Sequence, residues 1–355
     1  MRIVLSNSSV EWGGVHVITE VLARGLSGRG HDVTIFGAPN SMLEERMRGI
    51  APFEPILHGM DLHPGTVWRA AAALRRYRTD VVLALMKKDV RFTVPAARLL
   101  GIPSVVRHPN DRPLKGWIYD RALFGALPAL HVANSFATRS TLLASAPWLD
   151  PARVVVIYNG VDPAKVDAAL PAELGVPAGS LVVGFAGRLE QRKGLYDLIA
   201  AWPRIVEAVP HACLVIAGRG RDEAKAWEKS SGMNGIHWLG YRADVPSVLH
   251  SVDIAVVPSH WEGFGIIAAE AMLARVPVVA ANASSLPEII RDEQEGLLIP
   301  PRDPAALADA VIRLARDPGL RKRLGEAGRL RVLTEFSAPR MVDSFENVLR
   351  SVVKP

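Results

Sequence analysis

The chain is poor in cysteine. Cys213 is the only one among 355 residues, so no intrachain disulfide can form. Its setting in Ala212-Cys213-Leu214-Val215-Ile216 reads as a small core position. No apolar run is long enough to cross a bilayer. Met1-Arg2-Ile3-Val4-Leu5 enters a strand pattern directly, without the profile of a signal peptide. The expectation is a cytoplasmic protein in reducing surroundings. Gly-x-Gly-x-x-Gly is missing after the first strand, and no Gly-Lys-Ser/Thr follows, so neither the dinucleotide fingerprint nor a P-loop is present. Zinc spacings and nucleic-acid-binding motifs are missing too, and a nucleic-acid partner is not expected. No Asp-x-Asp pair is available to hold a divalent metal, so the expectation is no metal and no cofactor.

What is present suits a globular chain. Hydrophobic residues make up 49% and charged residues 22%, enough for a core in each of two ordinary domains. The net charge of +6 is uneven. Residues 1–165 hold 20 Lys and Arg against 13 Asp and Glu, and the remainder holds 22 against 23. A basic amino-terminal half suggests an anionic partner on that side.

In chain order, Arg2–Ser6 reads as a strand, Val15–Leu26 as a helix and Asp32–Phe36 as a second strand, a βαβ unit. Gly13-Gly14 lies in its first loop and on local grounds is a plain tight turn. Residues 66–79 form an Ala-rich helix with four arginines, Trp68 and Tyr77. That helix offers a face to an anionic membrane, which would make the protein peripheral at the inner face of the membrane. A solvated helix face is the equal alternative. Asp80–Leu85 reads as a strand with Lys87 at its carboxyl end. Ile102–Arg107 is another, ending in Arg107-His108-Pro109-Asn110-Asp111-Arg112-Pro113. Polar groups at strand carboxyl ends are where open α/β sheets meet ligands. Ser135 reads as a helix cap after the strand that starts at Leu130. Residues 163–179, rich in Pro and Ala, read as a linker.

The second half alternates strands and helices. The strands are Leu181–Ala186, Cys213–Ala217, Ile236–Leu239, Asp253–Val257, Val276–Ala280 and Gly296–Ile299, the pattern of a doubly wound parallel sheet. After the fourth comes Glu262-Gly263-Phe264-Gly265, feeding a helix that begins at Ile266 and contains Glu270. A glycine-rich loop at a helix start exposes unbonded amides and the positive end of the helix dipole, which suits a phosphate. Eight residues of helix would place Glu262 and Glu270 about 12 Å apart. That is too far for the paired carboxylates of a retaining glycosidase, about 5 Å, but right for two groups that accept sugar hydroxyls along one ligand. The plainer reading is that both acids merely favour a helix start. Arg188 and Lys193, flanked by Gly187 and Gly194, could clamp a diphosphate with a planar fork and a point charge, or be two solvated cations. Residues 304–334 read as two helices split at Asp317-Pro318-Gly319, and 338–352 as a final amphipathic helix.

The spacing Glu262, seven residues, Glu270, with Gly-Phe-Gly inside, resembles the signature of the retaining GT-B glycosyltransferases of family 4. Four further stretches resemble that family in its order: Gly13-Gly14, Gly187-Arg188-Leu189 with Lys193-Gly194, Ile216-Ala217-Gly218-Arg219-Gly220, and Leu239-Gly240-Tyr241-Arg242-Ala243-Asp244-Val245. The resemblance implies an α/β GT-B fold, two Rossmann-like domains facing across a cleft. The expected divisions are 1–165 for the acceptor, 166–337 for the nucleotide sugar, and 338–355 returning to the first domain. It implies a transferase moving a hexose-type sugar with retention from a nucleoside diphosphate sugar, UDP favoured and GDP-mannose next. The acceptor would be a cell-envelope glycan, a glycolipid or a small molecule.

The roles implied for this chain are catalytic for His108, Arg188, Lys193 and Glu262. Donor binding falls to Gly13, Gly14, Gly187, Arg188, Lys193 and Gly218, to Tyr241 and Arg242 beside the nucleobase, and to Glu262, Gly263, Phe264, Gly265, Ile266 and Glu270. Lys87, Asn110 and Asp111 are the acceptor candidates, with Asp120 an alternative to Asp111. A GT-B-like sugar-nucleotide epimerase and a silent sugar-nucleotide-binding protein share the pattern.

Overall fold

The computed structural model describes residues 1–10, 13–56, 63–116 and 118–353. Glu11 and Trp12, inside the expected first loop, lie outside the described residues. The chain divides into two compact units, Met1–Gly160 with Ala338–Pro355, and Val161–Ser337.

The first unit is built on seven parallel strands: β1 (Arg2–Asn7), β2 (Asp32–Gly37), β3 (Phe53–Pro55), β4 (Val81–Ala84), β5 (Ser104–His108), β6 (Leu130–Ala133) and β7 (Val154–Val156). Their order across the sheet is β3-β2-β1-β4-β5-β6-β7. Every residue of β4 and β5 is buried, as expected of strands covered on both faces. The helices are α1 (Gly14–Ser27), α2 (Met42–Met47), α3 (Pro64–Arg76), α4 (Lys87–Leu99), α5 (Ile118–Asp120) and α6 (Phe136–Ser145). A π-helical turn, Arg121–Ala126, continues α5. Ser135 caps α6 by accepting from the Thr138 amide at 3.0 Å. The helix expected over 66–79 begins at Pro64 and stops at Arg76, because Arg78 takes φ +49° and turns the chain into β4.

The second unit contains α7 (Pro163–Asp167), β8 (Leu181–Ala186), α8 (Leu195–Ala208), β9 (Ala212–Ala217), α9 (Glu223–Ser230), β10 (Ile236–Gly240) and α10 (Val245–Leu249). It continues with β11 (Ile254–Val257), α11 (Ile266–Leu273), β12 (Val278–Ala281), α12 (Leu286–Ile289), β13 (Gly296–Ile299), α13 (Pro304–Arg316) and α14 (Pro318–Glu335). The sheet is parallel, in the order β10-β9-β8-β11-β12-β13. Asp303 and Asp317 cap α13 and α14, each followed by proline at the first helical position, where the missing N–H costs nothing.

The last helix, α15 (Ala338–Val352), belongs to the first unit. It packs on α1 at Gly25, where a Cβ would meet Val342 Cγ2 at 2.5 Å. Glu346 accepts from Arg29, His31 and Arg350, and those bonds hold its carboxyl down at about 2.

Two expectations about the joint are corrected. The division falls at Gly160/Val161, not 165/166. Residues 163–179 are not a free linker. Val161 donates to Phe336 O at 2.9 Å, Arg329 grips Asp167 with both terminal nitrogens, and the Ala172 amide donates to Ser247 O. The prolines that suggested a linker instead start α7 and shape a segment tied to the second unit. Among the described residues no helix is long and apolar enough to cross a membrane.

Candidate functional site

In each sheet the strand order reverses once, between β1 and β4 in the first unit and between β8 and β11 in the second. Loops leaving the carboxyl ends of such a pair diverge and leave a crevice for a ligand. Of the residues singled out in the second half, Gly187, Arg188, Lys193 and Glu262 to Gly265 lie on the two loops at the second reversal, and Gly218, Tyr241 and Arg242 follow the neighbouring β9 and β10.

The loop after β8 carries Gly187, Arg188, Lys193 and Gly194; the loop after β11 carries Ser259 to Gly265. The two are fastened together. Gly194 sits at φ +72°, and a Cβ on it would lie 2.0 Å from Pro258 O, so only glycine lets the backbones approach. The His260 amide donates to Arg192 O at 2.8 Å. The His260 ring also bonds the Asp197 carboxylate through Nε2 at 2.6 Å. Arg192 lies over the Trp261 ring at 4.7 Å. Lys193 Nζ donates to Glu262 Oε1, which also accepts from Ser259 Oγ at 2.9 Å. Glu262 O accepts from Ser285 Oγ at 3.1 Å and from Ser284 Oγ. The acid and the cation expected to meet sugar and phosphate are therefore in contact, on a loop whose position is set from several sides.

Gly265 follows at φ +84° and starts α11. A Cβ there would meet Leu286 Cδ2 at 2.8 Å, so this glycine is required by packing as well as by its backbone angle. The chain then presents the first amides of α11. Phe264 differs in kind from the expectation. Its ring is buried, edge-on to Phe336 with centroids 5.6 Å apart, so only its backbone can face a ligand. Glu270, one turn into α11, is partly buried. Burial pushes its carboxyl up to about 7 against the opposing pull of Lys165.

Arg188 is half exposed and reaches Glu190 at 3.4 Å. Gly218 is pressed on this loop: a Cβ on it would lie 1.9 Å from Gly187 O. The Gly218 amide donates to Gly240 O at 2.7 Å, which ties in the loop after β10. There Tyr241 is 47% exposed, open for a ring to stack on. Arg242 is engaged with Asp244 through two bonds of 2.8 and 2.6 Å within the loop.

In the first unit Gly13 and Gly14 lie at the reversal between β1 and β4. The Gly13 amide donates to His16 Nδ1 at 3.1 Å, so this amide is engaged inside the loop. Among the described residues a Cβ at Gly13 would meet nothing within 4 Å. On the opposite side of the reversal Asp89 accepts from the Ser8 amide at 2.9 Å and the Met86 amide at 3.0 Å, joining the two loops. Its burial raises the carboxyl to about 7.

Lys87 Nζ stands 3.6 Å from the fully buried Asp120 and 5.6 Å from the Phe124 ring centre. His108 stacks near the same ring at 6.0 Å and bonds His131 Nδ1 through Nε2 at 3.0 Å. Burial, then the neighbouring His131, Lys87 and Arg107, keep His108 neutral well below the usual range. Lys87 and His108 are thus brought together around Phe124, with Asp120 behind. Asn110 and Asp111 sit on the next loop, whose Pro109 O accepts from Asn134; Asn110 is exposed. Sequence reasoning missed Ser259, His260, Asp197, Glu190 and His131. Asp197 and His260 meet from separate elements, as do His108 and His131, and no local spacing announces them; Ser259 and Glu190 pair within their own loops with Glu262 and with Arg188 and Arg192.

Two family models match. "Glycosyl transferases group 1" covers residues 167–331 and "Glycosyltransferase Family 4" covers 12–165. The chain is 32% identical over 285 residues to a glycogen synthase of Mycobacterium tuberculosis, across 74% of this chain and 66% of that protein. It is 30% identical over 296 residues to an alpha-maltose-1-phosphate synthase of Mycolicibacterium smegmatis, across 72% and 75%. The chain thus spans about two thirds of the first relative's length and three quarters of the second's. Anabaena HepE, solved with UDP-glucose, superposes with a TM-score of 0.86 at 21% identity over 99% of this chain and 100% of that one. A glycosyltransferase from Rickettsia africae gives 0.87 at 19%, over 99% and 98%.

Proposed function

We propose that this chain, which belongs to the group 1, family 4 glycosyltransferases and has their α/β GT-B fold, transfers a hexose-type sugar from a nucleoside diphosphate to a hydroxyl. UDP is the favoured carrier, because HepE, of the same fold, was solved with UDP-glucose; GDP-mannose is next. The acceptor is a glycan, a glycolipid or a small molecule.

The observation that carries this reading is the contact of Lys193 with Glu262 at the β8/β11 reversal. A bound sugar diphosphate is the ligand that needs both, a cation for the phosphate and a carboxylate for ring hydroxyls. Glu270, farther along α11, would accept from the ribose. As the bond from the anomeric carbon to the phosphate breaks, charge grows on the leaving diphosphate. Arg188, Lys193 and the α11 amides stabilise that charge. For retention, the acceptor oxygen attacks from the face the phosphate leaves, and its proton passes to a phosphate oxygen. In this reading the leaving group's charge is met by protein cations and backbone dipoles.

Titration calorimetry with UDP, GDP and ADP, then with their sugars, tests the reading. Wild type should bind one of them, and the joint replacement Arg188→Ala with Lys193→Ala should abolish the heat. Unchanged heats in the double variant would remove the clamp.

The α3 face is proposed as a contact for anionic membrane. Trp68 is 71% exposed, with Arg69 and Arg75 exposed beside it, whereas Arg76 pairs with Glu54. Co-sedimentation with phosphatidylserine vesicles, and none with phosphatidylcholine, is the expected result. Equal binding to both, or loss of neither with Trp68→Ala and Arg69→Ala together, would refute it.

A further inference from the structure

The loop after β8 holds three cations, Arg188, Arg192 and Lys193, and each already has an acid. Lys193 has Glu262. Arg188 and Arg192 share Glu190, at 3.4 and 2.6 Å. The two arginines are held very differently. Arg192 is 14% exposed and stacked on Trp261, so it is fixed from two sides. Arg188 is 56% exposed and meets Glu190 through a single long contact. A diphosphate offers a guanidinium the same paired oxygens as a carboxylate, with more charge.

We propose that Glu190 is the acid an incoming diphosphate must displace from Arg188, and that it thereby sets how tightly the second unit holds a nucleoside diphosphate and how readily it lets go. The inference rests on the donor reading above. Glu190 is well built for the task. Burial pushes its carboxyl up, but Arg188 and Arg192 together outweigh that and keep it ionised. Its amide donates to Arg188 O at 2.9 Å and its carbonyl accepts from the Lys193 amide at 2.9 Å. Those backbone bonds seat the residue between Arg188 and Lys193. It stays anchored through Arg192 when Arg188 swings to a phosphate, and recaptures Arg188 when the product leaves.

The experiment is a double-mutant cycle read by calorimetry, with UDP and with inorganic pyrophosphate as probes, alongside melting curves without ligand. Glu190→Gln should tighten both probes by about fivefold, the upper range for releasing an exposed ion pair, and slow their dissociation. In the Arg188→Ala background the same change should give no gain. Glu190→Asp, which keeps the charge but reaches less far, should tighten by a smaller factor, and serves if the Gln variant melts early. Equal tightening with and without Arg188 would mean simple removal of repulsion and would overturn the proposal. So would unchanged or weaker binding by a folded Glu190→Gln. Wild type that binds neither pyrophosphate nor any nucleoside diphosphate would remove the donor reading itself, a separate result from wild type that binds normally with Glu190→Gln unchanged.

Discussion

Glu270→Gln should stabilise the second unit at alkaline pH while weakening its hold on the donor. The folded carboxyl lies at about 7 because it is desolvated, against an ordinary value of 4.5. Between those values the folded state keeps a proton that the unfolded state gives up. Stability therefore falls as pH rises through the window from 4.5 to 7, and this group changes nothing outside it. The difference of 2.5 units, at about 1.4 kcal/mol each, sets a ceiling of about 3 kcal/mol at pH 8. Partial exposure of the side chain lowers it from there. The amide never ionises, so the variant should match wild type at pH 4 and exceed it by up to that amount at pH 8. Urea denaturation at pH 4, 6 and 8 measures this. Donor binding should move the other way, weaker by about tenfold, since a charged acceptor for ribose hydroxyls is lost. Parallel stability curves for the two proteins would refute the reasoning, because Glu270 would then titrate alike folded and unfolded.

Gly194→Ala should cost about 2–4 kcal/mol in melting experiments, from a left-handed backbone and a Cβ placed 2.0 Å from Pro258 O; a loss under about 0.5 kcal/mol would contradict the close approach. Arg107→Met should be neutral or stabilising, although the residue is fully buried. Two of its nitrogens find no acceptor among the described residues, and only Asn159 Oδ1 at 2.6 Å pairs with the third. A loss of 3 kcal/mol or so would expose a partner for that charge. Glu346→Ala should loosen α15 from α1 by about 1 kcal/mol at pH 7. The difference should shrink as pH drops toward 2, where the wild-type carboxyl gains its proton; a constant difference down to that pH would count against the cluster.

Elements with a period of their own were legible in the sequence. Leu181–Ala186 and Gly296–Ile299 are strands with the ends their apolar runs suggest, and the break at Asp317 falls where Asp-Pro marks it. Gly187, Lys193 and Glu262 drew attention because glycines adjoin them on loops at strand ends, whereas Glu270, inside α11, was singled out only by its spacing from Glu262. What stayed hidden depends on contacts made across the fold. Asp197 meets His260, and Arg107 meets Asn159, only once separate strands lie side by side. The burial of Phe264 was hidden for the same reason: Phe336 supplies a packing partner no local pattern reveals. The 163–179 stretch was misread because proline marks both linkers and helix starts, and only Arg329 and Ser247 decide between them.

The return of α15 to the first unit has a consequence for biosynthesis. The second unit is one unbroken stretch, Val161–Ser337, and can close as soon as it leaves the ribosome. The first unit cannot. Its seven strands emerge early, yet the flank of α1 at Gly25 stays uncovered until the entire second unit has been translated. At about 5–20 residues per second that interval lasts on the order of ten seconds or more. During it, the flank of α1 that Val342 will cover keeps its apolar surface in water.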